Sequence, residues 1–372
     1  MKAKIALVGN NLQMMCQFRL EIITVFVENG YDVTVIAPQD AAVTRLDGIN
    51  VRFIPIAIQS RSINPLSDLA LLWDLVKIYK REKFVHIYHY TTKIVLYGSI
   101  ASRIASVGQT PIMTGLGYAF LQPSLLSAIL LQLYKFAFPQ TSEVWFLNED
   151  DSNLFVQHKV IRSSQAFVLP SEGVDTAYYK SQSPLENQPF VFLYVGRILK
   201  DKGVVELCQA AQILRSQGVN AQIILIGKSN DSIKSAISTT QLTHWMQSGV
   251  IRYIDFQENL IPHYEQSTCV VLPSYREGVS RVLLEAASMA RPIITTNVPG
   301  CRDLVEDGET GWLCAPGDAQ SLAKAMLKAL NTPLEQLTRM GQKNREYVLR
   351  KYDITKIVSI YLDKLSENLN NK

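Results

Sequence analysis

This sequence is short of cysteine, of net charge and of long apolar runs. It has five cysteines in 372 residues (Cys16, Cys208, Cys269, Cys301 and Cys314), an odd number, widely spaced and without a C-x-x-C. That argues against a disulfide framework or a zinc site and fits a reducing cytosol. A net charge of +4 is too mild to point to a nucleic-acid binder. Charged residues make up 19% and hydrophobic residues 47%, a balance that excludes disorder. The longest greasy stretch, 125–138, carries Ser127, Gln132 and Lys135 and is closed by Pro139. It falls short of the roughly 20 apolar residues of a bilayer span. The apolar run after the basic start ends at Gly9, too soon for a signal peptide, so 5–8 is expected as a first buried strand. The loop that follows, Gly9-Asn10-Asn11, lacks a G-x-G-x-x-G, which disfavours a nicotinamide dehydrogenase. Its asparagines either orient sugar hydroxyls or make a turn.

What is present is a strand–helix alternation. Strands are expected at 5–8, 32–37, 51–54, 85–88, 111–113 and 143–147, with helices at 13–28, 65–80, 92–106 and 125–138. The stretch 171–189, with Gly173, Asp175, Pro184, Asn187 and Pro189, breaks the rhythm and reads as a linker. Strands then resume at 190–195, 221–226, 250–253, 269–272 and 292–295, with helices at 204–217, 280–289 and through the tail from Asp318. Short apolar strands between amphipathic helices make parallel sheets covered on both faces. The expected fold is α/β: two doubly wound Rossmann-like domains facing a cleft, with ligands at the carboxyl ends of the strands. Charge is uneven: residues 45–135 hold ten Lys/Arg against Asp47, Asp68, Asp74 and Glu82. That is either ordinary solvated helix surface or a basic face for an anionic substrate or membrane.

Two clusters carry chemistry. Residues 273–285, P-S-Y-R-E-G-V-S-R-V-L-L-E, follow a strand and open a helix, placing Glu277 and Glu285 eight residues apart. On one helix these carboxylates would stand about 12 Å apart along the axis and roughly 80° apart around it, too far for a catalytic pair. They suit two ends of an elongated ligand, with a pyrophosphate at the helix start between them and Gly278 allowing close approach. The plainer alternative makes Glu277 a turn residue and Glu285 an exposed helix residue. Against it, Leu283, Leu284, Ala286 and Ala287 surround Glu285, and an acid there needs partners. The second cluster, V-G-R-I-L-K-D-K-G at 195–203, also joins a strand to a helix. Arg197 and Lys202 there either neutralise a departing diphosphate or are incidental surface charges.

Together these segments resemble the retaining family 4 glycosyltransferases of the GT-B class. Glu277 and Glu285 match that family's E-x(7)-E, with Ser280 where proline is frequent. Gly196-Arg197 with Lys202-Gly203 resembles its G-R-x-x-x-x-K-G loop, and 299–313 matches the region that follows. The resemblance covers nearly the whole chain, specifically in the second half and loosely in the first. It implies domains at 1–175 (acceptor-binding) and 176–352 (nucleotide-sugar-binding), with a 353–372 helix crossing back to the first. It implies that Arg197 and Lys202 hold the donor diphosphate, that Glu285 bonds the ribose and that Glu277 contacts the donor sugar. Backbone groups of Gly278, Val279 and Ser280 would support sugar and phosphates, and Gly9, Asn10 and Gly196 would line the donor site. No metal is expected, and no D-x-D occurs. Many relatives carry a histidine after the strand 111–113. Here the loop reads Thr114-Gly115-Leu116-Gly117-Tyr118, and His86 and His89 flank the end of the preceding strand.

The first half is similar to bacterial enzymes that extend polyprenyl-diphosphate-linked oligosaccharides, of the N-acetylgalactosaminyltransferase kind. Gln17-Phe18-Arg19, the segment 60–65 and 114–117 carry that likeness. It implies transfer of an N-acetylhexosamine or hexose from a UDP-sugar to a lipid-diphosphate-linked saccharide in surface-glycan assembly, such as O-antigen. It also implies a cytoplasmic chain held peripherally at the inner face of the membrane. Residues 125–138 would then be either a core helix or a membrane-facing one. Rival expectations are a nucleotide-sugar epimerase or phosphorylase of the same fold, and a non-catalytic nucleotide-sugar-binding partner.

Overall fold

The structure, a computed structural model, describes residues 2–58, 64–117, 120, 124–181, 189–219, 221–229 and 235–370. The chain divides into two units, 1–173 with 354–372, and 174–353. In the first unit, seven strands are β1 (Lys4–Val8), β2 (Asp32–Ala37), β3 (Arg52–Pro55), β4 (His86–Tyr90), β5 (Gly108–Met113), β6 (Val144–Phe146) and β7 (Ala166–Val168). All pair in parallel, in the order β3-β2-β1-β4-β5-β6-β7. Its helices are α1 (Leu12–Glu28), α2 (Pro65–Glu82), α3 (Thr92–Ala105), α4 (Leu125–Ala137) and α5 (Glu149–Gln157).

The second unit repeats the plan. Six parallel strands, β8 (Val191–Val195), β9 (Gln222–Ile226), β10 (Arg252–Ile254), β11 (Cys269–Leu272), β12 (Ile293–Thr296) and β13 (Gly311–Cys314), run in the order β10-β9-β8-β11-β12-β13. Helices α6 (Val204–Ser216), α7 (Thr239–Gln247), α8 (Ile261–Gln266), α9 (Arg281–Ser288), α10 (Ala319–Leu330) and α11 (Leu334–Lys351) flank them. The last helix, α12 (Ile354–Asn370), belongs to the first unit and packs on α1. There Tyr90 donates a hydroxyl bond to Tyr361 at 3.3 Å, and Lys364 reaches Glu143 at 2.8 Å. In both sheets the strand order reverses once, between β1 and β4 and between β8 and β11. That reversal opens a crevice at the strands' carboxyl ends where ligands bind.

Local chemistry explains the element starts. Asn11, Asn64, Ser124, Ser280 and Asp318 each accept a backbone N–H from the first turn of the helix they precede. The linker expectation fails for 174–181. Val174 donates to the Tyr352 carbonyl at 3.0 Å and bridges Asp353, and Arg345 binds the carbonyls of Thr176 and Tyr179. This segment is part of the second unit; of the expected linker, 182–188, including Pro184 and Asn187, lies outside the described residues.

The 125–138 segment is not a simple core helix. α4 buries Ser127, Leu131, Tyr134 and Ala137 but exposes Leu125, Leu126, Ile129, Leu133 and Phe136. No helix among the described residues is long and apolar enough to cross a membrane. At least four of the ten cations of the basic stretch are ion-paired. Lys93 binds Asp68 at 2.7 Å, Arg52 and Arg81 share Glu82, and Lys77 lies 3.8 Å from Asp74.

Candidate active site

The two chemical clusters are the loops that leave β8 and β11, on either side of the strand-order reversal in the second sheet. After β8, Gly196 donates its N–H to Ile226 at 2.9 Å. A Cβ at Gly227 would come within 1.7 Å of the Gly196 carbonyl oxygen, so the backbones there touch directly. Arg197 follows, exposed at the end of the strand, and its guanidinium makes no ion pair or hydrogen bond among the described residues. The chain then closes a short 3-10 turn over 200–202 and enters α6 through Gly203, whose φ is +74°. A Cβ there would meet the Pro273 carbonyl oxygen at 2.0 Å, which locks this loop against the one after β11. Tyr275 N–H to Asp201 O, at 3.0 Å, fastens the same seam.

That seam brings Lys202 to Glu277 across 75 residues of sequence, with Nζ donating to Oε1 at 2.5 Å. The two side chains are only 15% and 17% exposed. Glu277 and Glu285 do not share a helix, in keeping with the helix expected at 280–289. Glu277 lies in the loop before α9, which begins at Arg281, and Ser280 is the cap, accepting Leu283 N–H at 3.4 Å. The loop is held from behind by 299–300: Glu277 N–H donates to Pro299 O at 3.2 Å and Ser280 N–H to Gly300 O at 3.0 Å. Gly300 has φ +74°, and a Cβ would strike the carbonyls of Glu277 and Gly278 at 2.5 and 2.4 Å. The Ser280 amide is therefore committed to the fold, which corrects its assignment as a phosphate donor. Among the described residues Val279 N–H has no such bond, and Gly278 lies beside it in the same loop.

Glu285 is not an exposed helix residue either. It is 4% exposed. Its Oε2 accepts from the Tyr264 hydroxyl at 3.0 Å, its Oε1 from Arg281 Nε at 3.1 Å, and the Tyr179 hydroxyl bonds it too. Burial pushes its carboxyl above the ordinary range, and Arg281 and the two tyrosines pull it back part of the way. Tyr179 and Tyr264 went unread in the sequence because they come from the segment before β8 and from α8. Only the need of a buried acid for partners hinted at them.

In the first sheet, Gly9 closes β1 with its N–H on Ile36 O at 3.0 Å, and a Cβ would run into the Met15 side chain. Asn10 is half-buried beside it, while Asn11 serves as the cap of α1. At the end of β4 stands a residue the sequence reading missed. Thr91 has φ +71°, a strained value for a β-branched residue, and its hydroxyl is buried without a partner among the described residues. His86 is the first residue of β4 and His89 the fourth, both ahead of its carboxyl end. Both lie within β4, buried, bonded to Thr110 at 2.8 Å and to the Tyr79 hydroxyl at 3.0 Å. Arg19 is likewise internal, ion-paired with Glu172 and stacked on Tyr90 with 4.0 Å to the ring centroid. Segment 60–63 and Tyr118 lie outside the described residues. Among the described residues no three His, Cys, Asp or Glu side chains are grouped to hold a metal.

Comparison with known proteins matches residues 175–347 to the model of glycosyl transferases group 1 and residues 4–148 to that of glycosyl transferase 4-like proteins. The chain is 27% identical over 86% of both chains to the capsular polysaccharide biosynthesis glycosyltransferase CapM of Staphylococcus aureus. It is 23% identical, over 95% of this chain and 96% of the other, to the N,N'-diacetylbacillosaminyl-diphospho-undecaprenol alpha-1,3-N-acetylgalactosaminyltransferase of Campylobacter jejuni. It is also 23% identical, over 90% and 89%, to the UDP-Gal:alpha-D-GlcNAc-diphosphoundecaprenol alpha-1,3-galactosyltransferase of Escherichia coli. Among solved structures, HepE of Anabaena in complex with UDP and glucose superposes with a TM-score of 0.79 at 19% identity, covering 98% and 99% of the two chains.

Proposed function

The chain belongs to the GT-B glycosyltransferases of family 4, enzymes of bacterial glycan biosynthesis, and from that premise we propose the reaction it performs. It moves a hexose or N-acetylhexosamine from a UDP-sugar to a saccharide carried on a lipid diphosphate, with retention at the anomeric carbon. The observation that carries this reading is the meeting of Lys202 and Glu277 beside the open Arg197 at the sheet's strand-order reversal. The names of the relatives support the UDP donor and the lipid-diphosphate acceptor.

In this reaction the acceptor hydroxyl oxygen bonds to C1 of the donor sugar on the face the diphosphate leaves. The C1–O bond to the β-phosphate breaks, and the hydroxyl proton passes to a phosphate oxygen. No side-chain base is required. Arg197 and Lys202 stabilise the negative charge that builds on the departing UDP, in place of a metal ion. Glu277 contacts the donor sugar, and the amides of Gly278 and Val279 face the phosphates. A carboxylate offers about four acceptor positions, so the three donors on Glu285 leave room for one ribose hydroxyl. Gly196 lets the donor approach the β8 loop. The acceptor's membrane suits the apolar stripe of α4, and the chain works peripherally at the cytoplasmic face.

The test is a panel of UDP-sugars with a lipid-diphosphate-linked saccharide, reading UDP release and product. Transfer from at least one UDP-sugar is expected, and UDP-sugar turnover without any acceptor would favour an epimerase instead. Undiminished transfer by Glu285→Gln would remove Glu285 from the site.

A further inference from the structure

Arg197 and Lys202 carry the same charge and are asked to hold the same diphosphate, yet the structure treats them differently. Arg197 is exposed, with no ion-pair or hydrogen-bond partner among the described residues. The Lys202 ammonium is already neutralised by Glu277 at 2.5 Å, with both side chains mostly withdrawn from water. This pair is built in. Gly203 against Pro273 fixes the lysine's turn, and Gly300 behind Glu277 and Gly278 fixes the glutamate's loop. At such low exposure the attraction is poorly screened, and so is any repulsion between Glu277 and an arriving phosphate.

We infer that Glu277 holds Lys202 in place for the diphosphate while holding down the affinity of the empty site for it. An ammonium has three donors, so Lys202 can keep Glu277 and add a phosphate oxygen. The carboxylate positions the lysine, and its negative charge opposes tight binding of UDP as donor or as product. Arg197 makes the first capture, and Lys202 is shared out only once the diphosphate is seated. The inference rests on the donor reading above and adds a sign to it. Removing the charge of Glu277 strengthens UDP binding even as it damages transfer.

The experiment is calorimetric titration of UDP into the full-length protein and into Glu277→Gln, Lys202→Met and the double variant. Glu277→Gln is expected to bind UDP about tenfold more tightly, equivalent to about 1.4 kcal/mol. That gain should change little as salt is raised, because the charges are poorly screened there. Lys202→Met should bind more weakly, and in the Lys202→Met background Glu277→Gln should give a different gain, because the two charges act on each other. Transfer by Glu277→Gln should fall at the same time. Equal or weaker UDP binding by Glu277→Gln would overturn the inference while leaving the donor reading intact. A wild-type protein that binds no UDP would overturn the donor reading itself. Should Glu277→Gln fold poorly by circular dichroism, Glu277→Ala is measured in its place with the same expected sign.

Discussion

The two sheets share one plan and differ in what they place at its opening. In the second, the loops after β8 and β11 bring Lys202 to Glu277, with the exposed Arg197 on the β8 loop and Glu285 buried in α9. In the first, the loops after β1 and β4 offer Gly9, the half-buried Asn10 and the strained Thr91, without a formal charge among them. Topology therefore gives each unit a place to bind and says nothing of the ligand, which is read from the side chains on the loops. A charged crevice suits a diphosphate. A neutral one with an unpartnered hydroxyl suits a sugar.

The comparison breaks most visibly if the charges of the second sheet are removed. Arg197→Ala with Lys202→Met is expected to lower kcat/KM for the UDP-sugar by about a thousandfold, on the scale of losing preorganised donors to a leaving group. Circular dichroism on the double variant and on Arg197→Ala alone separates folding from chemistry, since the Arg197 side chain is exposed and makes no bond among the described residues whereas Lys202 gives up its pair with Glu277. A loss below tenfold would move diphosphate recognition elsewhere. In the first sheet the corresponding change is Thr91→Gly. Relief of the positive φ should leave the melting temperature unchanged or slightly raised, while transfer falls by about tenfold through loss of the hydroxyl and of the fixed turn. Full activity in that variant would make the strain incidental.

The sequence carried the strand–helix rhythm and most of the second-sheet site, because those signals are local: apolar runs of strand length, and charged residues just past them. Arg197, Lys202 and Glu277 were legible as candidates on that basis, and Glu285 as an acid among apolar helix neighbours. Pairing was not. That Lys202 meets Glu277 depends on a glycine seam between two loops, and that Glu285 meets Tyr179 and Tyr264 depends on elements far away in the chain. Thr91 was invisible for a related reason: a backbone angle imposed by the surroundings leaves no mark in residue type. α4 stayed open between core and membrane-facing for the opposite reason. Its greasy composition reads as core, whereas its small and polar Ser127 faces in and Leu125, Ile129 and Phe136 face out.

That outward stripe separates the units again, at a smaller scale. Ile129→Gln with Phe136→Ser is expected to reduce co-sedimentation with anionic lipid vesicles several-fold, at about 25 cal/mol per Å² of apolar surface kept from the bilayer. Transfer to a water-soluble, lipid-free acceptor should not change. Vesicle binding equal to that of the wild type would assign the stripe another role.

The smallest expected effect is silent at neutral pH. Burial, reinforced by the neighbouring His86, pushes His89 down to about 3, so in the folded chain it stays neutral where the unfolded chain takes up a proton near pH 6.5. Between those values the unfolded state binds more protons, so stability falls as pH falls, by up to about 1.4 kcal/mol per pH unit from this group. Glu285 has the opposite sign: its raised carboxyl binds a proton more readily when folded, so its contribution weakens as pH rises above the unfolded value. Acid should thus remove the contribution of His89 to the first unit while leaving that of Glu285 to the second. His89→Gln keeps a partner for the Tyr79 hydroxyl and removes the titration. It should transfer sugar like the wild type at pH 7.5 and lose less melting temperature between pH 7 and pH 5. Equal acid sensitivity would detach the effect from His89, and a loss of transfer at neutral pH would return this histidine to the site from which its burial removes it.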